Sequence, residues 1–488
     1  MAKLFYYGGI SKMNFIRALV RPIWHFLFRW HCYPILVPIF LKAIQVRTQE
    51  GKCVPWKNYT KNYQLSILAL HPEKFNGDPR FLAKHSDFRV LELPVLWLSR
   101  LINAFYLPSA SDMDYYNSEN SVFLECKEKC RKFLHGLLSR LYKKIKIDCV
   151  ITANIRYKTE LDWVYVSQKI GTPYILLYRE GLLHTYFKYQ VSLHRHQRFA
   201  PFFGTHIIVH NEVTKRVYVN SQCARPTQIT VSGVLRMDGY ISKIKAHKRR
   251  DDKKRVVFFY FNPNEPAIGE KGFLLLKLRN RDPSLDQLPP VFINTLRSLI
   301  KLALENPEIE FIIKPKFKDF QNKRVKIFNT LCNEFSVKPE NIPNLIVSTN
   351  ISAQDWILDS SVVCGLHSTT LLEAGIAQKP IVIPYYQELI NSKYLRYFGF
   401  RNHMDLFDIA KSPFDFEKMI MHRLEDSRIS DEIIKKRETF FEEYVSFMDA
   451  DALGRYVKTI KTVCANFRKE DNYGHHDIQA IEKELSTA

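Results

Sequence analysis

Short apolar runs alternate along most of the chain with longer segments whose apolar residues recur at helical spacing. Such runs, bounded by turn residues, are typical of strands that are buried on both faces of a sheet. The predicted strands cover residues 63–70, 89–93, 149–153, 173–178, 206–210, 228–233, 255–261, 310–313, 345–347, 361–364 and 380–384. Helices are predicted over 95–104, 123–144, 159–170, 291–305, 324–335, 419–424, 432–448, 452–467 and 478–485, and two more begin at Asn211 and after Ser368. Strands that alternate with helices indicate a parallel, doubly wound α/β fold.

The alternation falls into two series, which predicts two Rossmann-like domains in a chain of 488 residues. We expect a basic, aromatic N-terminal segment over residues 1–60 and a first α/β domain over 61–242. The charged run 243–254 has no apolar period and is interpreted as an interdomain linker. A second α/β domain is predicted over 255–414, and helices over 415–488.

The N-terminal segment is rich in aromatic and basic residues from Arg21 to Ala43. A spanning helix needs about 20 apolar residues, whereas this one contains Arg29 and is interrupted by Pro34 and Pro38. The mixture of aromatic rings and cations suits a helical segment that lies in the interface of an anionic membrane. The alternative is a helix pair packed on the first domain, with its basic side chains reaching out to solvent.

The net charge limits the classes of partner that the chain is expected to bind, but it does not select one of them. Lys and Arg number 72 against 50 Asp and Glu, which gives a formal net charge of +22. Such a balance favours nucleic acid, anionic lipid or phosphorylated substrates. The nine cysteines follow no zinc-ligand or disulfide pattern, so we expect a reducing compartment and no metal. Asp112-Met113-Asp114 has the form of a metal–nucleotide ligand pair, but a loop so rich in polar residues is more typical of a solvent-facing turn.

The stretch from Ser361 to Pro384 has the pattern strand, loop, helix, strand, with a cluster of hydroxyls in the loop. In a parallel sheet this loop lies at the carboxyl edge, where open α/β sheets bind ligands. Backbone N–H groups at the start of the next helix attract anions. The residues expected to bind a nucleotide and its phosphates here are His367, Ser368, Thr369, Thr370 and Glu373. The spacing from the hydroxyls to Glu373 also fits a simple capping box.

Several motifs resemble those of two-domain GT-B glycosyltransferases that build bacterial surface polysaccharides, capsule and lipopolysaccharide, including users of CMP-sialic acid, CMP-Kdo and CDP-glycerol. These motifs are Ser-Thr-Thr-x-x-Glu-Ala-Gly at 368–375, Val-x-Gly-x-x-Arg-x-Asp at 231–238, which contains Arg236, and Lys314-Pro315-Lys316-Phe317. The last stands where the family has Lys-Pro-His-Pro, so Lys314 and Lys316 are expected near the donor phosphate. The resemblance implies a nucleotide-activated sugar as donor substrate, with no cofactor and no metal.

The resemblance also implies a general base on the first domain. Glu180 follows a predicted strand and precedes Gly181, as in the acidic-acidic-Gly motif of bacterial sialyltransferases, with Arg179 in the first acidic position. His184 is the alternative base, because imidazole titrates near neutrality. Asn262 and Asn264 follow the first predicted strand of the second domain. We expect them, with Arg179 and Arg236, to line a cleft between the two predicted domains.

The expected function is transfer of a sugar from a nucleotide-activated donor to a cell-surface glycan or lipid-linked acceptor. We expect a cytoplasmic protein that is peripheral on the anionic inner face of the cytoplasmic membrane. One alternative is a CDP-glycerol-type transferase of polyol phosphate. Another is a basic nucleic-acid-binding protein, although the basic residues are dispersed and no nucleic-acid module is recognisable, so no nucleic-acid partner is expected.

Overall fold

A computed structural model describes residues 22–110, 113–116, 120–180, 183, 186–199, 201–247, 252–261, 287–315 and 323–472. The chain forms two compact units. The first takes up the described residues of Met1–Gly181, Arg195–Arg236 and Asp451–Ala488, and the second those of Leu182–His194 and Met237–Ala450. Each unit is built on its own sheet, so the prediction of a mixed α/β protein with two units, each containing a series of parallel strands, is confirmed.

The strands and helices follow the alternation seen in the sequence. The strands are β1 (Gln45–Arg47), β2 (Cys53–Pro55), β3 (Leu65–Leu70), β4 (Phe88–Leu93), β5 (Cys149–Thr152), β6 (Tyr174–Leu177), β7 (His206–Val209), β8 (Ile229–Val231), β9 (Arg255–Phe259), β10 (Glu310–Lys314), β11 (Leu345–Val347), β12 (Val362–Cys364), β13 (Ile381–Pro384) and β14 (Asp408–Ala410). The helices are α1 (Tyr33–Ala43), α2 (Asp78–Leu82), α3 (Val95–Phe105), α4 (Ser121–Lys144), α5 (Lys158–Lys169), α6 (Tyr186–Gln197), α7 (Glu212–Asn220), α8 (Leu235–Ala246), α9 (Leu288–Glu305), α10 (Lys323–Glu334), α11 (Ala353–Asp359), α12 (Thr370–Ile376), α13 (Gln387–Ile390), α14 (Pro413–Glu425), α15 (Asp431–Tyr444) and α16 (Ala452–Asn472).

The sheet of the first unit has the strand order β2-β1-β4-β3-β5-β6-β7-β8. From β4 to β8 the neighbouring strands are parallel, whereas β1 pairs antiparallel with both of its neighbours. Strand side chains alternate between the two faces, and here both faces are covered. Leu68 and Val150 enter one hydrophobic cluster, while Ile67 and Ile151 enter another. This burial on both sides explains the uninterrupted apolar runs.

The sheet of the second unit contains six parallel strands in the order β11-β10-β9-β12-β13-β14. The central strand β9 is buried along its whole length. Because β9 and β12 are neighbours in the middle of the sheet, the loops that leave their carboxyl ends lie side by side at the edge where ligands bind parallel sheets.

The N-terminal segment packs on the first unit. Residues 22–29 are helical, and Phe28 contacts Phe40 of α1 and Phe133 of α4 with ring centroids 6.5 and 5.5 Å apart. The other face of this helical segment is exposed, with Trp30 73% accessible and Phe26 57%. Among the described helices, none is both long and apolar enough to cross a membrane.

One sequence interpretation differs from the structure. Helix α8 continues through residues 243–246, so the start of the charged run is helical rather than linker; Tyr240 and Ile241 provide its buried side. The helices predicted after residue 415 are present, and they divide between the units: α14 and α15 belong to the second unit and α16 to the first, where Tyr456 and Ile460 pack against the sheet. The helix predicted over 478–485 lies outside the described residues.

Candidate functional site

The loop between β12 and α12 begins with a glycine at a point of close packing. A Cβ atom on Gly365 would lie 3.2 Å from Leu371 Cδ2 and 3.3 Å from the Phe259 carbonyl oxygen. Both distances are tighter than ordinary van der Waals contact, so a side chain would push the loop away from β9. Glycine therefore keeps the hydroxyl-bearing loop close to the centre of the sheet edge.

The three hydroxyls of this loop differ in their surroundings. Thr370 Oγ1 donates to Ser368 Oγ over 2.6 Å, and the Thr370 backbone N–H donates to the same oxygen over 3.3 Å. Thr369, at the N-cap of α12, is exposed and makes no side-chain cap hydrogen bond. The capping-box alternative is therefore not what the structure shows. Ser368 and Thr369 remain available to an anion at the positive end of the short helix.

Glu373 is turned into the interior of the second unit. It is 7% exposed, and its Oε2 accepts a hydrogen bond from Gln354 Nε2 over 3.1 Å. The Tyr240 hydroxyl donates to the Glu373 backbone carbonyl over 2.9 Å. These contacts tie α12 to α11 and α8, which differs from our expectation that this carboxylate accepts from sugar hydroxyls.

His367 follows β12 in a half-buried aromatic setting. Its Nδ1 lies 3.2 Å from the Tyr394 hydroxyl, and its ring centroid is 5.8 Å from that of Phe261. Phe261 follows β9, so the ends of two adjacent strands meet at this imidazole. Their contact brings together residues that lie about a hundred positions apart in the sequence.

The remaining residues assigned to the donor site are described only in part. Lys314 ends β10 and is half-buried, and desolvation lowers the pKa of its ammonium group below the ordinary value. Its Nζ is 3.5 Å from the Pro315 carbonyl oxygen. Lys316, Asn262 and Asn264 lie outside the described residues, so their expected roles stay predictions.

In the first unit, Glu180 lies just after β6, as expected, but within an ion-pair network. Arg156 Nη2 donates to its Oε2 over 2.7 Å, and Arg179 Nη2 lies 3.8 Å from its Oε1. The Glu180 side chain is 37% exposed. Arginines thus hold both carboxylate oxygens, which fixes the position of this group. The alternative base, His184, lies outside the described residues.

Asp78 is a candidate that the sequence analysis missed. It is the first residue of α2, in the connection from β3 to β4, and only 3% of its surface is exposed. Desolvation raises the pKa of its carboxyl group from 3.8 to about 7, against the lowering effect of the positive charges on Arg236 and Arg179. A carboxyl group that titrates near neutrality has the property that a general base requires.

Arg236 follows β8 and is exposed. Besides its effect on Asp78, its charge acts with desolvation to lower the pKa of the buried His210 to about 3, so this histidine is neutral at physiological pH. Arg236, Arg179 and Glu180 all lie beyond strand ends of the same sheet. The sequence predicted that Arg179 and Glu180 follow a strand, but it did not reveal Asp78, on which Arg179 and Arg236 act electrostatically.

No group of three or more His, Cys, Asp and Glu side chains in the described part of the chain is arranged to hold a metal ion. Of the two aspartates considered as metal–nucleotide ligands in the sequence, Asp112 lies outside the described residues. Asp114 belongs to a single 3₁₀ turn, Met113–Tyr115.

Comparison with known proteins gives similarity of structure only. No family model matches the chain, and no curated protein matches its sequence. The chain is similar to the UDP-GlcNAc 2-epimerase of Neisseria meningitidis bound to UDP-GlcNAc, with 13% identity and a TM-score of 0.46 over 82% of this chain and 99% of that one. The UDP-GlcNAc 2-epimerase of Methanocaldococcus jannaschii in complex with UDP-GlcNAc and UDP matches with 13% identity and a TM-score of 0.39 over 82% and 99%. A UDP-forming trehalose-phosphate synthase of Burkholderia xenovorans matches with 9% identity and a TM-score of 0.40 over 83% and 100%. At this level the similarity carries no argument about activity, so function is argued from the residues.

Proposed function

We propose that this protein is a metal-independent glycosyltransferase of the GT-B type, which moves a sugar from a nucleotide-activated donor to an acceptor hydroxyl. The observation that carries the proposal is the position of the Asp78 carboxyl group, which is buried in the connection from β3 to β4 and whose pKa burial raises to about 7. The hydroxyl loop at the corresponding edge of the second sheet supports it. The first unit binds the acceptor and the second binds the donor nucleotide.

In this reaction a base removes the proton from the acceptor hydroxyl while the bond from the sugar to the donor phosphate breaks. The new glycosidic bond forms at the anomeric carbon, and the phosphate leaves with the bonding electron pair. Asp78 receives the proton. Ser368 and Thr369, together with the N-terminus of α12, stabilise the charge that develops on the leaving phosphate.

Two carboxylates compete for the role of base, and the structure favours Asp78. Glu180 is held by Arg156 over 2.7 Å, and that contact must weaken before the carboxylate accepts a proton. Asp78 is in no ion pair with a described residue, and burial raises its pKa to about 7 against the opposing charges of Arg236 and Arg179. We therefore assign the proton transfer to Asp78 and retain Glu180, the residue predicted from the sequence, as the alternative.

The finer proposal is that the acceptor is a surface glycan or a lipid-linked intermediate, and that the protein works at the inner face of the cytoplasmic membrane. The exposed face of residues 22–30 supports this, because it pairs the rings of Phe26 and Trp30, 5.9 Å apart, with the exposed cation Arg29. Aromatic rings and cations together suit an anionic lipid interface. The formal net charge of +22 adds to the attraction.

Kinetic measurements on Asp78→Asn and Glu180→Gln test the assignment. We expect Asp78→Asn to lower kcat at least a hundredfold, the usual contribution of general base catalysis, while donor binding is retained. Wild-type kcat should rise with pH towards a plateau above about 7. Loss of turnover in Glu180→Gln alone would transfer the role to Glu180. Phosphorus in the acceptor product would instead support transfer of polyol phosphate.

A further inference from the structure

Arginines gather at the carboxyl end of the first unit's parallel strands. Arg156 follows β5, Arg179 follows β6, Arg236 follows β8, and Arg195, near the end of α6, acts electrostatically on Arg156 and Glu180. Among the described residues, the carboxylates recorded as interacting with these guanidinium groups are Asp78 and Glu180. Four positive charges against two carboxylates leave an excess of at least two within this cluster.

Hydrogen bonds hold two of these arginines in fixed positions. Arg179 Nη1 donates to Asn76 Oδ1 over 2.9 Å, which links the loops after β6 and β3. The Arg156 backbone N–H and Nε donate to Asn154 Oδ1 over 3.0 and 3.3 Å. Through Glu180, which contacts both guanidinium groups, three strand ends are joined in one network. The network is therefore preorganised, which lowers the cost of binding a ligand.

Two donors in this network are buried without a hydrogen-bond partner in the described part of the chain. They are Arg179 Nε and Asn154 Nδ2, and Asn154 is only 2% exposed. A buried donor without an acceptor costs about 1–3 kcal/mol, so both groups favour a ligand that brings acceptor atoms. Arg236 also makes no ion pair or hydrogen bond with any described residue. Because this residue is exposed, a ligand can reach it.

We propose that Arg179, Arg236 and Asn154 form an oxyanion subsite in the first unit, which binds a phosphate or carboxylate group on the acceptor. Planar guanidinium groups bind both kinds of oxyanion through paired N–H donors. The assignment of the anion to the acceptor rests on the proposed function. Binding of the anion itself is a property of this unit and does not require turnover.

Calorimetric titration of the full-length protein with inorganic phosphate and with glucuronate, each at low ionic strength and without nucleotide, tests the subsite. We expect at least one of the two probes to bind and its Kd to rise about tenfold in Arg236→Gln. Arg236 is exposed, so this variant should fold normally. Arg179→Lys keeps the charge but removes the Nε donor, and it should weaken binding by a similar factor. Binding of phosphate alone indicates a phosphorylated acceptor, and binding of glucuronate alone an acidic sugar.

Arg225→Gln is the matched control. Arg225 is an exposed arginine of the same unit, but it precedes β8 and so lies beyond the opposite edge of the sheet. Its substitution should leave the Kd of either probe unchanged. The subsite is refuted if neither probe binds, or if the Kd is unchanged in both Arg236→Gln and Arg179→Lys; loss of that binding in Ser368→Ala would assign the anion to the loop after β12 instead. Failure of the proposed function would appear differently, as absence of nucleotide binding while the oxyanion still binds.

Discussion

Replacing Asp78 by Asn should stabilise the first unit, and the size of the effect should depend on pH. The folded chain holds the Asp78 proton up to about pH 7, whereas the unfolded chain releases it above about 3.8. Between these values the unfolded state binds fewer protons, so this residue makes the wild-type protein less stable as the pH rises. Asparagine has nearly the same shape as the protonated acid and does not titrate, so the variant escapes this loss.

The magnitude follows from the burial of the group. The difference between the ordinary pKa of 3.8 and about 7 corresponds to about 4 kcal/mol, at about 1.4 kcal/mol for each pKa unit. The charged groups that act on the carboxyl are Arg236 and Arg179, and both remain protonated across this range. We therefore expect the variant to exceed the wild type in free energy of unfolding by about 4 kcal/mol at pH 8 and to equal it near pH 4.

Tryptophan fluorescence during urea unfolding measures the free energy of unfolding of the first unit, in which Asp78 lies. Of the six tryptophans, Trp356 alone lies in the second unit, so the signal reports mainly on the first. Glu212→Gln is the control, because Glu212 is an exposed acid at the first position of α7 and its removal should give no comparable dependence on pH. Equal stability of wild type and Asp78→Asn at pH 8 would refute the reasoning, because it would mean that burial does not penalise the charged form.

Three other substitutions test separate parts of the account. Gly365→Ala should lower the free energy of unfolding by about 1–3 kcal/mol in a urea titration, because the added Cβ would press on Leu371; an unchanged midpoint would show that the loop shifts freely. Arg437→Met should cost about 3 kcal/mol in the same assay, since its buried guanidinium donates two hydrogen bonds to the Leu406 carbonyl; a neutral result would mean that this carbonyl finds other donors. Trp30→Ser should leave stability within about 0.5 kcal/mol, because the side chain is 73% exposed, yet weaken sedimentation with anionic vesicles about tenfold; equal binding would indicate that residues 1–21 or a second copy of the chain covers this face.

The alternation of apolar runs predicted the two parallel sheets because strands buried on both faces need continuous apolar sequence. It missed β1, β2 and β14, which are three residues each, lie at or next to the end of a sheet, and are too short to show a period. The run from Lys243 was interpreted as linker from its charge, although the helix that includes Tyr240 continues to Ala246. Local composition predicts which residues are exposed, but it does not show where a helix ends.

The candidate site was predictable where it depended on strand ends and not where it depended on distant neighbours. Glu180 and Ser368 follow strands in the sequence, so their positions could be inferred. Asp78 lies in a Gly-Asp-Pro turn that resembles any solvated turn, and its pKa is raised only by burial in the fold, against the opposing charges of Arg236 and Arg179. The orientation of Glu373 likewise depends on Gln354 in a neighbouring helix, which helical spacing alone does not reveal.

The most direct measurement is calorimetric titration of the wild-type protein and the Ser368→Ala/Thr369→Ala double variant with CMP, CDP, UDP and GDP. If the loop after β12 holds the donor phosphates, one nucleotide binds the wild-type protein and the double variant binds it at least tenfold more weakly. Binding of none of the four, or equal affinity in both proteins, would contradict the account of a nucleotide-sugar enzyme with its donor at this loop.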